Sequence, residues 1–581
     1  MGIGSGNHRP VDGPSTHLTS LLWPPAYDPE GQDAAALSPE AAADLDIDPL
    51  IQVLAGREPH RMPFVRTLLS ALCTSSDVIT YRRHVIANLL DTPELRQRLG
   101  GLLVTLSPLL RERLRPLFQT EWTVPDVVAR LGDLQLYVDA ALGVAEALDT
   151  PAVKAPALQY LQRSIVSLIN TTEFETLRAE LPALRAQLDG LQSVTIGINL
   201  SSGLQPESAA ILSLDAEKVE GRSGLLQRLL GSDAGRQGIT RLRAEHVGGL
   251  AGYFAPMRGN GRGRENELVD DLRRLLEQVI EPVGQIVDKY VSVSSHDFAI
   301  LESELSFFLN AAGLVEKLRG ALLPVCCPEI APMDERAMRL DEGYNVCLAL
   351  RTLDTANPSQ GSGIVTNPVI FDTECGRVWV LTGPNRGGKT TYARAVGLAH
   401  ILFQAGLYVP AANARMSPVD LICMHFPNTE SATPGKGRLD EEAERLAAIF
   451  HQATPHSLVL LNEALSGTST LEALALARDA LRGLRLLGVR AIYVTHLHEL
   501  AACADEINRT TAGDGTVGSL VAEVDGAQDN GRTGHRATFR IHPGPPPGLS
   551  HASEIAEQHG ISFRQLEALL ERRGAVKDLK T

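Results

Sequence analysis

From about residue 48 to 190, apolar residues recur at three- and four-residue spacing with charge between them. Val65, Leu68, Leu69 and Leu72 form one such set, Val85, Leu89 and Leu90 a second, and Leu134, Leu136, Val138 and Leu142 a third. That period predicts amphipathic helices, punctuated by Pro93, Pro108, Pro116 and Pro125. At 194–200 the period falls to two, which predicts a strand, with 210–214 its partner across a turn. Helical stripes return over 267–318, with Leu268, Leu272, Leu275, Val279 and Val283 on one and Leu301, Leu305, Phe308 and Leu309 on another. Beyond about 340, apolar runs at 378–382, 458–461 and 491–495 alternate with helical stretches, the order of a parallel α/β sheet. Residues 1–47 keep no period and read as a mostly flexible leader, in which Leu21, Leu22, Trp23 and Pro24 can dock as a short arm.

Composition narrows the picture. A chain of 581 residues has room for about three or four units at roughly 150 residues each. Its 44% hydrophobic and 4% aromatic content makes a Leu/Ala/Val core, favouring helices with some parallel sheet. With 54 Lys and Arg against 69 Asp and Glu, the net charge is −15, which argues against a surface that coats nucleic acid or membrane throughout. A polyanion site has to be local, and 221–264 offers one: Arg222, Arg228, Arg236, Arg241, Arg243, Arg258, Arg262 and Arg264, no lysine, and only Asp233 and Glu245 in opposition. It reads either as sequence-independent phosphate contact or as a solvated loop. Seven scattered cysteines without Cys-x-x-Cys exclude a disulfide framework and a clustered zinc site and point to the cytoplasm. No apolar run approaches the roughly 18 to 20 residues of a membrane span, so no membrane partner is expected.

The candidate chemistry lies at three strand ends. The strand 377–382 runs into GPNRGGKT (383–390) and then a helix, the setting of a phosphate-binding loop. Gly383, Pro384, Asn385, Gly387 and Gly388 let backbone N–H groups converge on phosphates, Lys389 reaches the β- and γ-phosphates, Thr390 ligates Mg2+, and Thr391 is counted with them among the nucleotide-binding residues. The strand at 458–461 ends in Asn462, where such nucleotidases normally offer a magnesium-binding Asp, and Glu463, in place to polarise the attacking water. The strand at 491–495 delivers His496, able to hydrogen-bond the γ-phosphate or that water.

These residues resemble a known family. LTGPNRGGKTTYARAVGLAHILFQAGLYVPA (381–411) resembles the ATPase domain of MutS, the DNA mismatch-repair protein, whose loop typically reads TGPNMGGKST. LVLLNEALSGTST (458–470) is similar to its LVLMDEIGRGTST, and YVTHLHEL (493–500) to its ATHYHEL. More weakly, 75–99 and 267–308 resemble the helical core and levers that precede that ATPase, and 548–561 its closing segment. The Arg-rich stretch falls where MutS carries its DNA clamp. Departures are clear. Lever-like helices already begin near residue 60, so no mismatch-reading domain or Phe-x-Glu wedge is expected, and no nuclease tail follows. Asn462 replaces Asp, Leu465-Ser466 replaces Gly-Arg, and Gly437 falls where a Ser would touch ATP across a dimer.

The resemblance implies an α + α/β chain: a helical core and lever domain followed by an ABC-type P-loop ATPase domain with a mainly parallel sheet. The expected boundaries are a leader at 1–47, the helical domain at 48–335 with a reduced clamp about 194–264, the ATPase at 336–545 and a helical dimerisation tail at 546–581. It further implies a slow cytoplasmic ATPase using ATP and Mg2+. Glu463 and His496 would be catalytic, and Thr390 and Asn462 would hold the metal. DNA would be held through Arg236, Arg241, Arg243, Arg258, Arg262 and Arg264, and a second copy of the chain and other repair proteins are expected as partners. The competing reading is an ATP-gated scaffold with weak turnover and no direct DNA binding.

Overall fold

The computed structural model describes residues 18–28, 36–114, 124–189, 193–200, 202, 206–215, 283–287, 289–290, 293, 295–355, 363–426, 438–465, 468–529, 532–546 and 563–573. Chain contacts divide the protein into two compact units, one taking 1–18, 98–150 and 161–302, the other 19–97, 151–160 and 303–581.

The first unit is helical, with one antiparallel hairpin. The hairpin pairs β1 (Ser193–Leu200) with β2 (Pro206–Asp215), where the two-residue alternation predicts it. Helices Val124–Leu148 and Thr172–Asp189 bury the apolar positions of their stripes, including Leu134, Val138, Leu177 and Leu181. Arg130 is buried and donates to the carbonyls of Tyr290 (2.8 Å) and Val293 (2.6 Å), which gives its guanidinium hydrogen-bond partners away from water.

The second unit is built on a six-stranded sheet. Its members in chain order are β3 (Val378–Thr382), β4 (Ile422–His425), β5 (Leu458–Asn462), β6 (Arg490–Val494), β7 (Val517–Asp529) and β8 (Arg532–Pro543). In space they run β8-β7-β3-β6-β5-β4, all parallel except β8, which pairs antiparallel with β7. Alternate residues face opposite ways, as the strand period requires. Val378, Val380, Val459, Leu461, Ala491 and Tyr493 pack with the helices α1 (Arg438–Gln452), α2 (Thr470–Leu487), α3 (His498–Ala502) and α4 (Ala504–Thr510). Leu460, out of phase with them, faces Gly397 of the helix α5 (Lys389–Gln404), with only about 3.2 Å to an added Cβ there. Both faces are thus covered, which explains why these strands read as continuous apolar runs. A smaller four-stranded sheet contains Glu329–Ile330, Met338–Gly343, Asn367–Phe371 and Asn413–Met416.

Parts of the stretch expected as a leader are packed here. Leu21 and Leu22 are buried, Arg82 donates to the Leu22 carbonyl and stands over the Trp23 ring, and Glu304 accepts from Ser20 Oγ and the Leu21 N–H. Helix Pro39–Leu45 reaches α5: Arg394 donates to the Asp44 carbonyl, and a Cβ added at Gly397 would stand 2.5 Å from Leu45 Cδ2. The helices up to residue 97, expected with a helical domain over 48–335, belong to this unit because such contacts tie them to α5. Helix His296–Gly320 is long and apolar enough to cross a membrane, although the sequence showed no such run; 78% of its most apolar 18-residue window is buried, and Glu302 and Glu304 are buried with it, as in a core helix.

Candidate functional site

The fully buried β3 sits at the centre of the sheet and delivers its chain to the loop 383–388. Close packing forces glycine at Gly383: φ is +142°, and a Cβ would come within 2.7 Å of Ala522 Cβ on β7. Gly388, at φ +88°, stands immediately before α5 in the left-handed region. The loop's backbone therefore lies bare at a helix N-terminus, where the dipole and unpaired N–H groups favour an anion.

Lys389 folds back over this loop. Its ammonium donates to the carbonyls of Gly383 and Pro384, both at 2.9 Å, and lies 3.5 Å from His496 Nε2. Burial pushes it down to about 8, against the opposing pull of Glu463. One residue on, Thr390 Oγ1 donates to Asn462 Oδ1 at 3.3 Å. Glu463 leaves β5 at φ +52° and its carboxylate meets His496 Nε2 at 2.7 Å. Neighbouring strands set this geometry: Glu463 N–H bonds the Val494 carbonyl of β6, and Thr495 N–H bonds Leu381 of β3. Three strand ends thus bring Lys389, Thr390, Asn462, Glu463 and His496 together.

Lys389, Thr390 and Glu463 of this set border a cavity of about 340 Å³, lined on the same side by Asn385, Gly387, Gly388 and Thr391. The facing wall was not anticipated from the sequence: Tyr344, Asn345, Leu348, Ile364, Val365, Asn367 and Phe539. Asn345 caps the helix Val346–Thr355 by accepting from Leu348 N–H and donates to the Thr391 carbonyl. These residues belong to no phosphate-loop motif, and a lone aromatic in the polar stretch of β8 gives no periodic signal. The arginines Arg236, Arg241, Arg243, Arg258, Arg262 and Arg264 and the glycines Gly435 and Gly437 lie outside the described residues.

The arrangement suits a polyphosphate. It offers a bare backbone cradle at a helix N-terminus, a buried ammonium on replaceable carbonyl partners, a hydroxyl and an amide oxygen side by side, and a carboxylate held by an imidazole. Comparison with known proteins agrees. Residues 379–522 match the family model of MutS domain V, and 74–321 match that of the MutS2 N-terminal domain. The chain belongs to the MutS family. It is 28% identical over 466 residues to the DNA mismatch repair protein MutS of Granulibacter bethesdensis, covering 76% of this chain and 47% of that protein. It is 25% identical over 526 residues to the MutS of Rhodopseudomonas palustris, with coverages of 84% and 56%. A shorter match, 39% over 147 residues, covers 25% of this chain and 17% of the DNA mismatch repair protein MutS 2 of Halobacterium salinarum. The chain spans about half the length of the bacterial MutS relatives it matches over most of its own length. In this MutS-family chain the domain V match contains every strand end described above but stops short of Phe539.

Proposed function

We propose that the chain is an ATP-dependent DNA-binding ATPase of the MutS family, with an ABC-type nucleotide site completed between two copies of the chain. The observation that carries the reading is Lys389: a buried ammonium resting on two carbonyls of its own loop, beside Thr390, Glu463 and His496. A triphosphate would take the place of those carbonyls as its partner. The residues fit Mg2+ as well, since Thr390 Oγ1 and Asn462 Oδ1 form a neighbouring pair of oxygen donors. Bound there, the metal would neutralise phosphate charge.

Glu463 orients and polarises water for attack on the γ-phosphorus, and the His496 N–H that it accepts fixes the carboxylate's direction. The Lys389 charge and loop N–H groups stabilise negative charge on the transferring group. Asn462 supplies a neutral oxygen where a carboxylate would hold the metal more firmly, so turnover is slow and the nucleotide-bound state long-lived. Closure of two sites on ATP would change the setting of the lever helices and the hold of the Arg-rich stretch on DNA. The relatives' names, DNA mismatch repair proteins, support a role in DNA repair.

The test is ATP binding and hydrolysis by the full chain, with and without duplex, branched and mismatched DNA, at two salt concentrations. Lys389→Ala should abolish nucleotide binding while the fold persists. Wild-type affinity in that variant would sink the assignment. ATP binding without salt-dependent DNA binding would favour a nucleotide-gated scaffold instead.

A further inference from the structure

The phosphate loop carries an arginine at a point where its backbone favours glycine. The Gly387 N–H closes a turn on the Pro384 carbonyl at 3.2 Å, and Arg386 holds the third position of that turn at φ +63°. Turns that need this left-handed conformation normally take Gly or Asn there, because a Cβ crowds the following carbonyl. Where the MutS loop typically reads Met, this chain has a cation. Arg386 is exposed, and among the described residues it has no hydrogen-bond or ion-pair partner. Yet it lines the same cavity as Lys389 and Glu463.

The cavity therefore holds two cations of different character. Lys389 is buried and rests on the Gly383 and Pro384 carbonyls. Arg386 stands free on the outer side of the loop, its forked N–H donors open to an anion. Backbone strain kept at such a place marks a side chain that is presented to a ligand. The inner phosphates of a polyphosphate seated in the loop take its backbone N–H groups, while the terminal group carries the most charge and is the one Glu463 serves. We propose that Arg386 is a further substrate-contacting residue: its guanidinium pairs, within one copy of the chain, with the terminal phosphate of a bound nucleoside triphosphate and so separates triphosphate from diphosphate. This rests on the nucleotide-binding reading above. Lys389 and the loop N–H groups then supply affinity common to ATP and ADP, and Arg386 supplies the part that depends on the third phosphate. A charge-assisted, forked arginine–phosphate pair is worth roughly tenfold or more in affinity.

The experiment measures, by calorimetry on the full chain with Mg2+, affinities for ATP and for ADP. Arg386→Met removes the charge and keeps an unbranched side chain. It should weaken ATP about tenfold and leave ADP within about twofold. Arg386→Gly suits the positive φ, so it should change the two affinities in the same way without lowering the melting temperature, and it carries the test if the Met variant does not fold. Arg386→Lys, a cation without the fork, should recover part of the lost ATP affinity. Unchanged ATP affinity in Arg386→Gly overturns the proposal. Equal weakening of ATP and ADP also overturns it, by putting the guanidinium on an inner phosphate, and so does a loss seen only at protein concentrations where two copies associate, which would make Arg386 a contact between copies. Wild-type protein that binds neither nucleotide removes the underlying nucleotide reading, an outcome distinct from wild-type binding that the Arg386 variants leave intact.

Discussion

The ligand-free site holds Lys389 at about 8, against an ordinary 10.5, because burial disfavours its charge more than Glu463 favours it. Bound phosphates would reverse that balance and keep the ammonium charged well above this range. Between about pH 8 and 10.5, then, the free protein carries less than a full charge on Lys389 and nucleotide binding takes up a proton. The affinity for ATP should be flat up to about pH 7.5 and then fall. At pH 9 about one lysine in eleven is charged in the free protein, so binding should be about tenfold weaker, or about 1.4 kcal/mol. The same depression acts on stability with the opposite sign. The unfolded chain binds more protons than the ligand-free fold in this window, so that fold gains stability as pH rises, on the order of 3 kcal/mol in total. Titration calorimetry at pH 7 and 9, in two buffers of different ionisation enthalpy, reads affinity and proton uptake together. Equal affinities at the two pH values without proton uptake would refute the burial argument for Lys389.

Glu304 gives a second pH effect in another window. Burial raises its carboxyl from 4.5 to about 7 despite the Ser20, Leu21 and Arg82 groups that favour its charge, so stability is full below about pH 4.5 and is lost as pH rises through 7, by roughly 3 kcal/mol. Glu304→Gln should flatten that slope in denaturant titrations, and an unchanged slope assigns it elsewhere. Replacing Arg258, Arg262 and Arg264 by Ala should weaken duplex binding and reduce the log–log salt slope by up to about 2.7; if neither moves, the stretch is solvated charge. Asn462→Asp should raise the ATPase rate about tenfold at saturating ATP and Mg2+, while Glu463→Gln should abolish turnover and spare binding. If the Asp variant is no faster, single-turnover kinetics will show whether product release limits the cycle.

Three of the sheet's six strands, β3, β5 and β6, were legible because they are buried on both faces and therefore run as unbroken apolar stretches; β4, β7 and β8 were not read from the sequence. The cluster at its edge was legible for a related reason: Lys389, Asn462, Glu463 and His496 each lie within a few residues of a strand end, and parallel strands put such ends side by side. The facing wall was not. Asn367 and Phe539 are 172 residues apart and meet through a bulge, which alternation along β8 does not announce. The early docked arm was legible in Leu21 and Leu22, which are buried as expected; the partners that hold it were not, since Glu304 accepts from the Ser20 hydroxyl and the Leu21 N–H and Arg82 donates to the Leu22 carbonyl from far along the chain. That the segments before residue 97 contact α5 was hidden, because helical periodicity reports an apolar face without saying what covers it.

Asn462 and the low value at Lys389 are two sides of one electrostatic arrangement. Lys389 is buried beside Glu463, the one charge-raising neighbour among the described residues, and the oxygen next to Thr390 belongs to an amide rather than a carboxylate. A second carboxylate at the end of β5 would favour the ammonium that donates to the Gly383 and Pro384 carbonyls and raise it. The neutral side chain leaves that ammonium less well charged above about pH 8, so on the proposed reading phosphates must draw in a proton as they bind there, at a cost in affinity. On the same reading it would leave a metal beside Thr390 more weakly held and slow the chemical step. One side chain would then lower both the affinity at high pH and the turnover. If so, Asn462→Asp should carry two signatures at once: a faster chemical step, and an ATP-affinity break displaced above pH 8. A variant that gains rate while its pH break stays in place would separate the two effects and show that Lys389 is set by burial alone.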